Sequence, residues 1–259
     1  MWRDLLASRE LAWRLMVRDI SAQYRQSILG IAWAFLPPIF MAIGFTLADE
    51  AKVFNVGATD LPYPAYVMFS TALWQTFVES LNGPVQAITT AKPMLARVNF
   101  PREAIILAKI GEVLFNFAIK LILIVALFAW FRIPVGWTVI LAPVAIIHLI
   151  MLGTFIGTLL SPLGVLYQDV SKSLTMVTGF WLFLTPVVYP VPTQGTFGTL
   201  VNFNPVTPLL VTARELATTG VISHTSGFWI VSILTWVGLL ITWVAFRLAM
   251  PYVIERVSS

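Results

Sequence analysis

From Val139 to Leu160, and again from Phe228 to Phe246, the chain runs without a single Asp, Glu, Lys or Arg. An α-helix needs about 20 apolar residues to cross the hydrocarbon core of a bilayer. A chain inside that core has no water to satisfy its backbone, so such stretches dictate helices. The rest of the sequence agrees: 58% of the 259 residues are apolar and only 11% are charged, against about 25% in a soluble domain. This excludes an ordinary soluble enzyme, a disordered chain and a nucleic-acid binder. The net charge of +4 and pI near 9.6 suit loops at a membrane surface rather than a nucleic-acid-binding face. Without cysteine, disulfides and thiolate sites are excluded, and His148 and His224 are too far apart in sequence to suggest a metal cluster.

The pattern predicts an all-α integral membrane protein: six transmembrane helices, an N-terminal amphipathic interface helix, and short re-entrant helices before the last span. Residues 1–27 lack the compact apolar core of a cleavable signal peptide. Instead Trp2, Leu5, Leu6, Trp13, Met16, Val17, Ile20 and Tyr24 recur at helical spacing, opposite Arg3, Glu10, Arg14, Arg18 and Arg25. That is a helix lying in the headgroup zone. The six spans, within a domain of residues 28–250, are expected at residues 28–48, 63–82, 104–131, 139–160, 174–188 and 228–250. Pro37-Pro38 falls near the middle of the first and predicts a bend there. Gly83-Pro84 is expected to end the second span, and Pro162 and Gly164 the fourth. A polar loop over residues 92–103, another at Tyr167–Lys172, a re-entrant segment at 192–212 and a tail at 251–259 complete the chain.

Basic residues fix the expected orientation. With the N-terminus in the cytoplasm, eleven of the 16 Lys and Arg residues fall inside, while Lys52, Arg132 and Arg214 fall outside. The remaining two, Lys109 and Lys120, lie in the third span. Both termini are then cytoplasmic.

That third span carries Lys109, Glu112, Asn116 and Lys120, whose steps of three and four place them on one helical face. Ionisable groups in a span face protein or water. The stripe is therefore either a wall of a hydrophilic path or a set of structural pairs, such as Glu112 or Lys120 with Glu79 of the second span. Aromatic rings are dense, and Trp33, Phe35, Phe40, Trp181, Phe183 and Tyr189 sit in or beside the first and fifth spans. Rings there either pack ordinarily or offer the apolar faces of sugar rings a sliding surface. No enzyme signature is present: the chain has no G-x-x-x-x-G-K-[ST] loop and no H-E-x-x-H. Ser161 and His148 lie thirteen residues apart in sequence, about 20 Å along a helix and too far for proton transfer.

Several segments, in order along nearly the whole chain, resemble type-2 ABC permeases that export polysaccharides. The run from Tyr24 to Pro38, with Gln26-Ser27-Ile28-Leu29-Gly30 at its core, resembles that family's entry to the first span. Asn99-Phe100-Pro101-Arg102-Glu103 resembles its loop after the second span. Tyr167-Gln168-Asp169-Val170 is similar to a short Tyr-Arg-Asp-Val loop, with Gln168 in place of the Arg. Pro186-Val187-Val188-Tyr189-Pro190 and Asn204-Pro205 resemble its outer segment, and Met250-Pro251-Tyr252 the tail of the O-antigen branch.

The resemblance implies a permease without a nucleotide site of its own. Two copies would form the conduit in the bacterial inner membrane, and two separate ATPase subunits would bind ATP and Mg beneath it. It assigns ATPase docking to the interface helix and to Lys92, Met94, Leu95, Arg97, Val98, Phe100 and Arg102. The implied cargo is a lipid-linked polysaccharide, O-antigen first, with capsule or teichoic acid as alternatives within the family. From other classes, an intramembrane glycosyl or acyl transferase would need a converging acid and base, for which only the Lys109–Lys120 face is available, and a small-molecule exporter or passive scaffold would share the fold.

Overall fold

The computed structural model describes residues 2–25, 28–53, 57, 59–95, 101–192 and 194–258. Among these the protein is entirely helical: α1 (Trp2–Arg25), α2 (Leu36–Glu50), α3 (Tyr63–Leu95), α4 (Glu103–Trp130), α5 (Ala142–Leu166), α6 (Asp169–Phe183), α7 (Gly195–Phe203), α8 (Val206–Ala217) and α9 (Thr225–Ser258). Short 3₁₀ turns precede α2 and α5, at Gly30–Ala34 and Trp137–Leu141. Among the described residues, three segments are long and apolar enough to cross a membrane: Glu103–Trp130, Trp137–Leu166 and Thr225–Arg256.

The helix α3 is the longest-buried element and forms the axis of the bundle, with α2, α4, α5, α6 and α8 packed around it. Its centrality explains its composition. Ser70, Thr71, Thr76 and Ser80 are buried in protein rather than lipid. Thr76 and Ser80 donate back to the carbonyls of Ala72 and Phe77, at 2.8 and 2.7 Å, which satisfies hydroxyls inside the bundle. The tightest crossing is with α5. A Cβ on Gly153 would collide with Ser80 Oγ and the Phe77 carbonyl, and one on Gly157 with the Leu81 carbonyl. Small residues four apart let the two backbones meet, as they do between membrane helices generally.

Several expected boundaries move. Pro37-Pro38 does not bend the middle of a span. It begins α2, in the first turn, where the missing N–H costs nothing. Gly83-Pro84 does not end a helix either, because α3 continues through Pro84 and Pro93 to Leu95. The fourth span runs on through Pro162 and Gly164 to Leu166, where Gly164 lets Val85 of α3 approach. The expected loop Tyr167–Lys172 is mostly helix, since α6 starts at Asp169, an acidic residue favourable in a first turn. The expected tail is a continuation of α9 through Pro251. At Pro84, Pro93, Pro162 and Pro251 the fold holds a helix through residues that would break an isolated one.

The helices α2 and α4 end alike. After α4, Arg132 N–H reaches the Ala129 carbonyl and Ile133 N–H the Phe128 carbonyl; after α2, Lys52 and Val53 repeat this with Asp49 and Ala48. Lys52 and Arg132 occupy the left-handed position with φ of 54° and 52°, where glycine is usual. Their charge suits the negative end of the helix.

Candidate functional site

The polar stripe of α4 lands where its sequence spacing put it, and the structure gives every member a partner. Lys120 Nζ meets Glu79 Oε1 of α3 at 2.5 Å. Lys120 is 1% exposed, so the pair removes a cost that an isolated ammonium inside the bundle would impose. Lys109 Nζ lies 2.7 Å from Glu112 Oε1, one turn along the same helix. Asn116 Oδ1 accepts from the Tyr24 hydroxyl of α1 at 3.0 Å. Burial first, then the Glu79 and Glu112 carboxylates, raise the Tyr24 pKa above its ordinary value, keeping the phenol protonated as that donor.

The helix α1 therefore docks along α4. Ala12 and Leu15 are buried against a core that includes Ile105 and Ala108, and Met16 lies where a Cβ on Gly111 would be. Trp13 and Val17 remain exposed on the other face. Between α1, α3 and α4 opens a cavity of about 550 Å³ whose rim includes Arg18, Gln23, Gln86, Met94 and Lys109.

Of the residues that the resemblance assigns to docking, Arg97, Val98 and Phe100 lie outside the described residues. Leu95 is buried in the chain's own core with Ile88, Ala104 and Ile106, so its side chain serves the fold and not an exposed docking face. Lys92, Met94 and Arg102 are half-buried. Burial lowers the Arg102 pKa, and the neighbouring Glu103 carboxylate works in the opposite direction. Glu103 also reaches Arg247 of α9 at 3.8 Å.

The aromatic set divides. Trp33, Phe40 and Phe183 are exposed, while Phe35, Trp181 and Tyr189 are half-buried. Trp181 meets Trp74 and Phe77 of α3 edge-on, at centroid distances of 6.4 and 5.4 Å. Its indole N–H donates to Asn204 Oδ1 at 3.0 Å. Asn204 in turn donates to the Leu184 carbonyl and to Thr185 Oγ1, and accepts from Val206 N–H at the start of α8. Asn204, between α7 and α8, thus ties that junction to the end of α6 through one side-chain amide. Tyr189 donates to the Phe183 carbonyl at 2.8 Å and packs on Phe197 of α7.

Sequence reasoning counted Arg214 only as an outer charge. In the structure it is a buried hub. Its guanidinium donates to Ser70 Oγ of α3 at 2.8 Å and to the Pro186 carbonyl at 3.2 Å, and lies 4.2 Å from the centre of the Tyr66 ring. The Tyr66 hydroxyl donates to the carbonyls of Tyr189 and Pro186, and Tyr63 to that of Val188. The irregular segment after α6 is thereby clamped to α3 and α8. A polar cavity of about 470 Å³ borders this clamp, lined by Asp60, Glu215 and His224 among others. The signal available in sequence was a lone Arg inside Val206–Ala217, whose apolar face leaves a cation nowhere to go but inward.

Among the described residues, an all-helical bundle around one central buried helix, with three segments long and apolar enough to cross a membrane, is the architecture of an integral membrane protein. Residues 10–217 match the ABC-2 type transporter family, and the chain belongs to it. Two relatives extend the match. The O-antigen export system permease protein RfbA of Myxococcus xanthus is 26% identical over 222 residues, covering 83% of this chain and 82% of the relative. The protein of the same name from Klebsiella pneumoniae is 22% identical over 238 residues, covering 87% and 85%.

Proposed function

We propose that this chain is the permease subunit of an ATP-driven exporter that moves a lipid-linked polysaccharide, O-antigen in the first instance, across the bacterial inner membrane. The observation that carries the reading is the match along the greater part of the chain to two O-antigen export permeases. The fold supports a particular mechanism. Because α3 fills the middle of the bundle with buried side chains, a glycan path belongs at the face of a second copy rather than through one chain. The helices α2 and α6 both pack on α3, and both leave aromatic rings outward: Phe40 on one, Phe180 and Phe183 on the other, with Trp33 just before α2. Such rings suit the apolar faces of sugars.

In this reading the six spans are α2 to α6 and α9, with α7 and α8 as the re-entrant pair and both termini cytoplasmic. The sidedness of charge supports that orientation. Arg18, Lys92, Arg102 and Arg247 belong to the end where α1 meets α3 and α4, while Arg132 and Arg214 belong to the opposite end. Residues 92–103, with Arg97 and Phe100, and α1 would seat in a separate ATPase subunit, two copies of each chain making the exporter. The bound ATP and Mg would belong to that partner.

Deletion of the gene followed by glycolipid analysis tests the reading. Undecaprenyl-linked glycan should accumulate inside the cell, and complete absence of the glycan would instead indicate a role in synthesis. Arg97→Glu and Phe100→Ala should reduce ATPase co-purification, whereas Phe183→Ala should slow export and leave it intact. Unchanged co-purification in both loop variants would remove the docking assignment.

A further inference from the structure

The helices α4 and α5 follow one another in the chain, yet both pack on α3 and they barely meet. Between them lies a cavity of about 780 Å³, walled by Leu121 and Val125 of α4, Val139 of the 3₁₀ turn before α5 and Ile147 of α5, with Phe69 and Ala217 behind. Its lining is almost wholly apolar apart from Arg132 at one end. Arg132 has no side-chain hydrogen bond or ion pair among the described residues. It also holds a left-handed backbone, φ 52°, where glycine would sit without strain. Trp130 and Trp137 flank this turn at 84% and 76% exposure. Large amphipathic rings of this kind settle at headgroup depth.

The dimensions narrow the occupant. From Leu114 to Arg132 the slot runs eighteen residues along α4, about 27 Å at the helical rise. A slot that is apolar along its walls and longer than half of a core about 30 Å thick suits one extended hydrocarbon chain. The cation at the mouth sets the headgroup: an anionic oxygen cluster that a guanidinium can hold through paired hydrogen bonds.

We propose that this slot holds one phospholipid of the leaflet at the Arg132 end, its acyl chain between α4 and α5 and its phosphodiester on the Arg132 guanidinium. Ala217 closes α8, which also carries Arg214, so the lipid fills the space behind the helix that clamps the segment after α6. This holds whatever the exporter carries.

The test is native mass spectrometry of the full chain released from mild detergent, titrated with phosphatidylglycerol. Wild type should retain one phospholipid that resists delipidation. Arg132→Gly, which suits the left-handed turn and so preserves the fold, should bind about tenfold more weakly, the loss expected of charge-assisted hydrogen bonds. Arg132→Lys should keep most of the affinity. Val125→Trp should exclude the lipid by filling the slot, with thermal unfolding reporting that the fold is intact. A phospholipid bearing a diazirine on its acyl chain should label the facing walls of α4 and α5 more than the outward Ile233 and Leu240 of α9. Equal binding by wild type and Arg132→Gly, uniform labelling of α9 and the slot, or recovery of a polyprenyl phosphate in place of phospholipid would each overturn the proposal.

Discussion

Arg214 lies over the Tyr66 ring at 4.2 Å while its guanidinium donates to Ser70 and to the Pro186 carbonyl. Three elements meet at this one side chain: α8, α3 at two positions, and the irregular segment after α6. A guanidinium is suited to this because it stacks flat on a ring and still directs N–H groups outward in its plane. Arg214→Lys should therefore lower stability by about 2 kcal/mol, although it keeps the charge. Tyr66→Phe keeps the ring and loses only the hydroxyl's bonds to the Tyr189 and Pro186 carbonyls, so it should cost about 1 kcal/mol. Thermal unfolding in detergent, followed by tryptophan fluorescence, ranks the two. A milder effect for the lysine variant would contradict the stacked arrangement.

The Glu79–Lys120 contact is one of the structural pairs that the sequence offered beside a hydrophilic wall. Removing one partner leaves the other charge in the bundle, so Glu79→Gln and Lys120→Met should each destabilise by about 2 kcal/mol or more, with the lysine left unpaired the worse case. Lys120 is fully enclosed and Glu79 is only two-thirds so. The double variant should recover part of the loss, a non-additivity measured directly by a double-mutant cycle. Strict additivity in unfolding free energy would mean that the two side chains act independently.

What could be read from the sequence was the periodic part. Long uncharged stretches named α5 and α9, and three-and-four spacing named the stripe on α4. What could not be read was what each face meets. The Glu79–Lys120 contact joins residues 41 apart in sequence, and the Arg214–Ser70 contact joins residues 144 apart. Proline positions misled for a related reason. Pro37 and Pro84 look alike in sequence, yet one opens a helix and the other sits inside α3, held there by the helices around it. Leu95 reads as an exposed docking residue until the fold turns it onto Ile88 and Ile106. Burial of this kind is a property of neighbours, which a local pattern does not contain.

The α3–α5 crossing makes a sharper forecast because backbone cannot move aside. Gly157→Ala should destabilise by about 2 kcal/mol, since its Cβ would press on the Leu81 carbonyl. Gly179→Ala in α6 meets nothing within 4 Å and should leave stability unchanged or raise it by about 0.5–1 kcal/mol through helix propensity. Comparing unfolding midpoints of the two single variants checks both signs at once.

The seam between α1 and α4 has a pH signature. The Tyr24 pKa is raised from its ordinary 10.0, chiefly by burial and then by Glu79 and Glu112. The folded state thus holds the phenolic proton more tightly than the unfolded one. Its contribution is present in full below pH 10 and is lost as pH rises through the higher folded value. Tyr24→Phe should remove the bond to Asn116 and cost about 1 kcal/mol at neutral pH. As pH rises above 10 the wild type should lose more stability than the variant, so that their difference narrows. Limited proteolysis within α1 reads the local effect, with faster cleavage in Tyr24→Phe at pH 7 and convergence at the alkaline end. A gap that stays constant across that range would mean that Tyr24 does not titrate as the donor to Asn116.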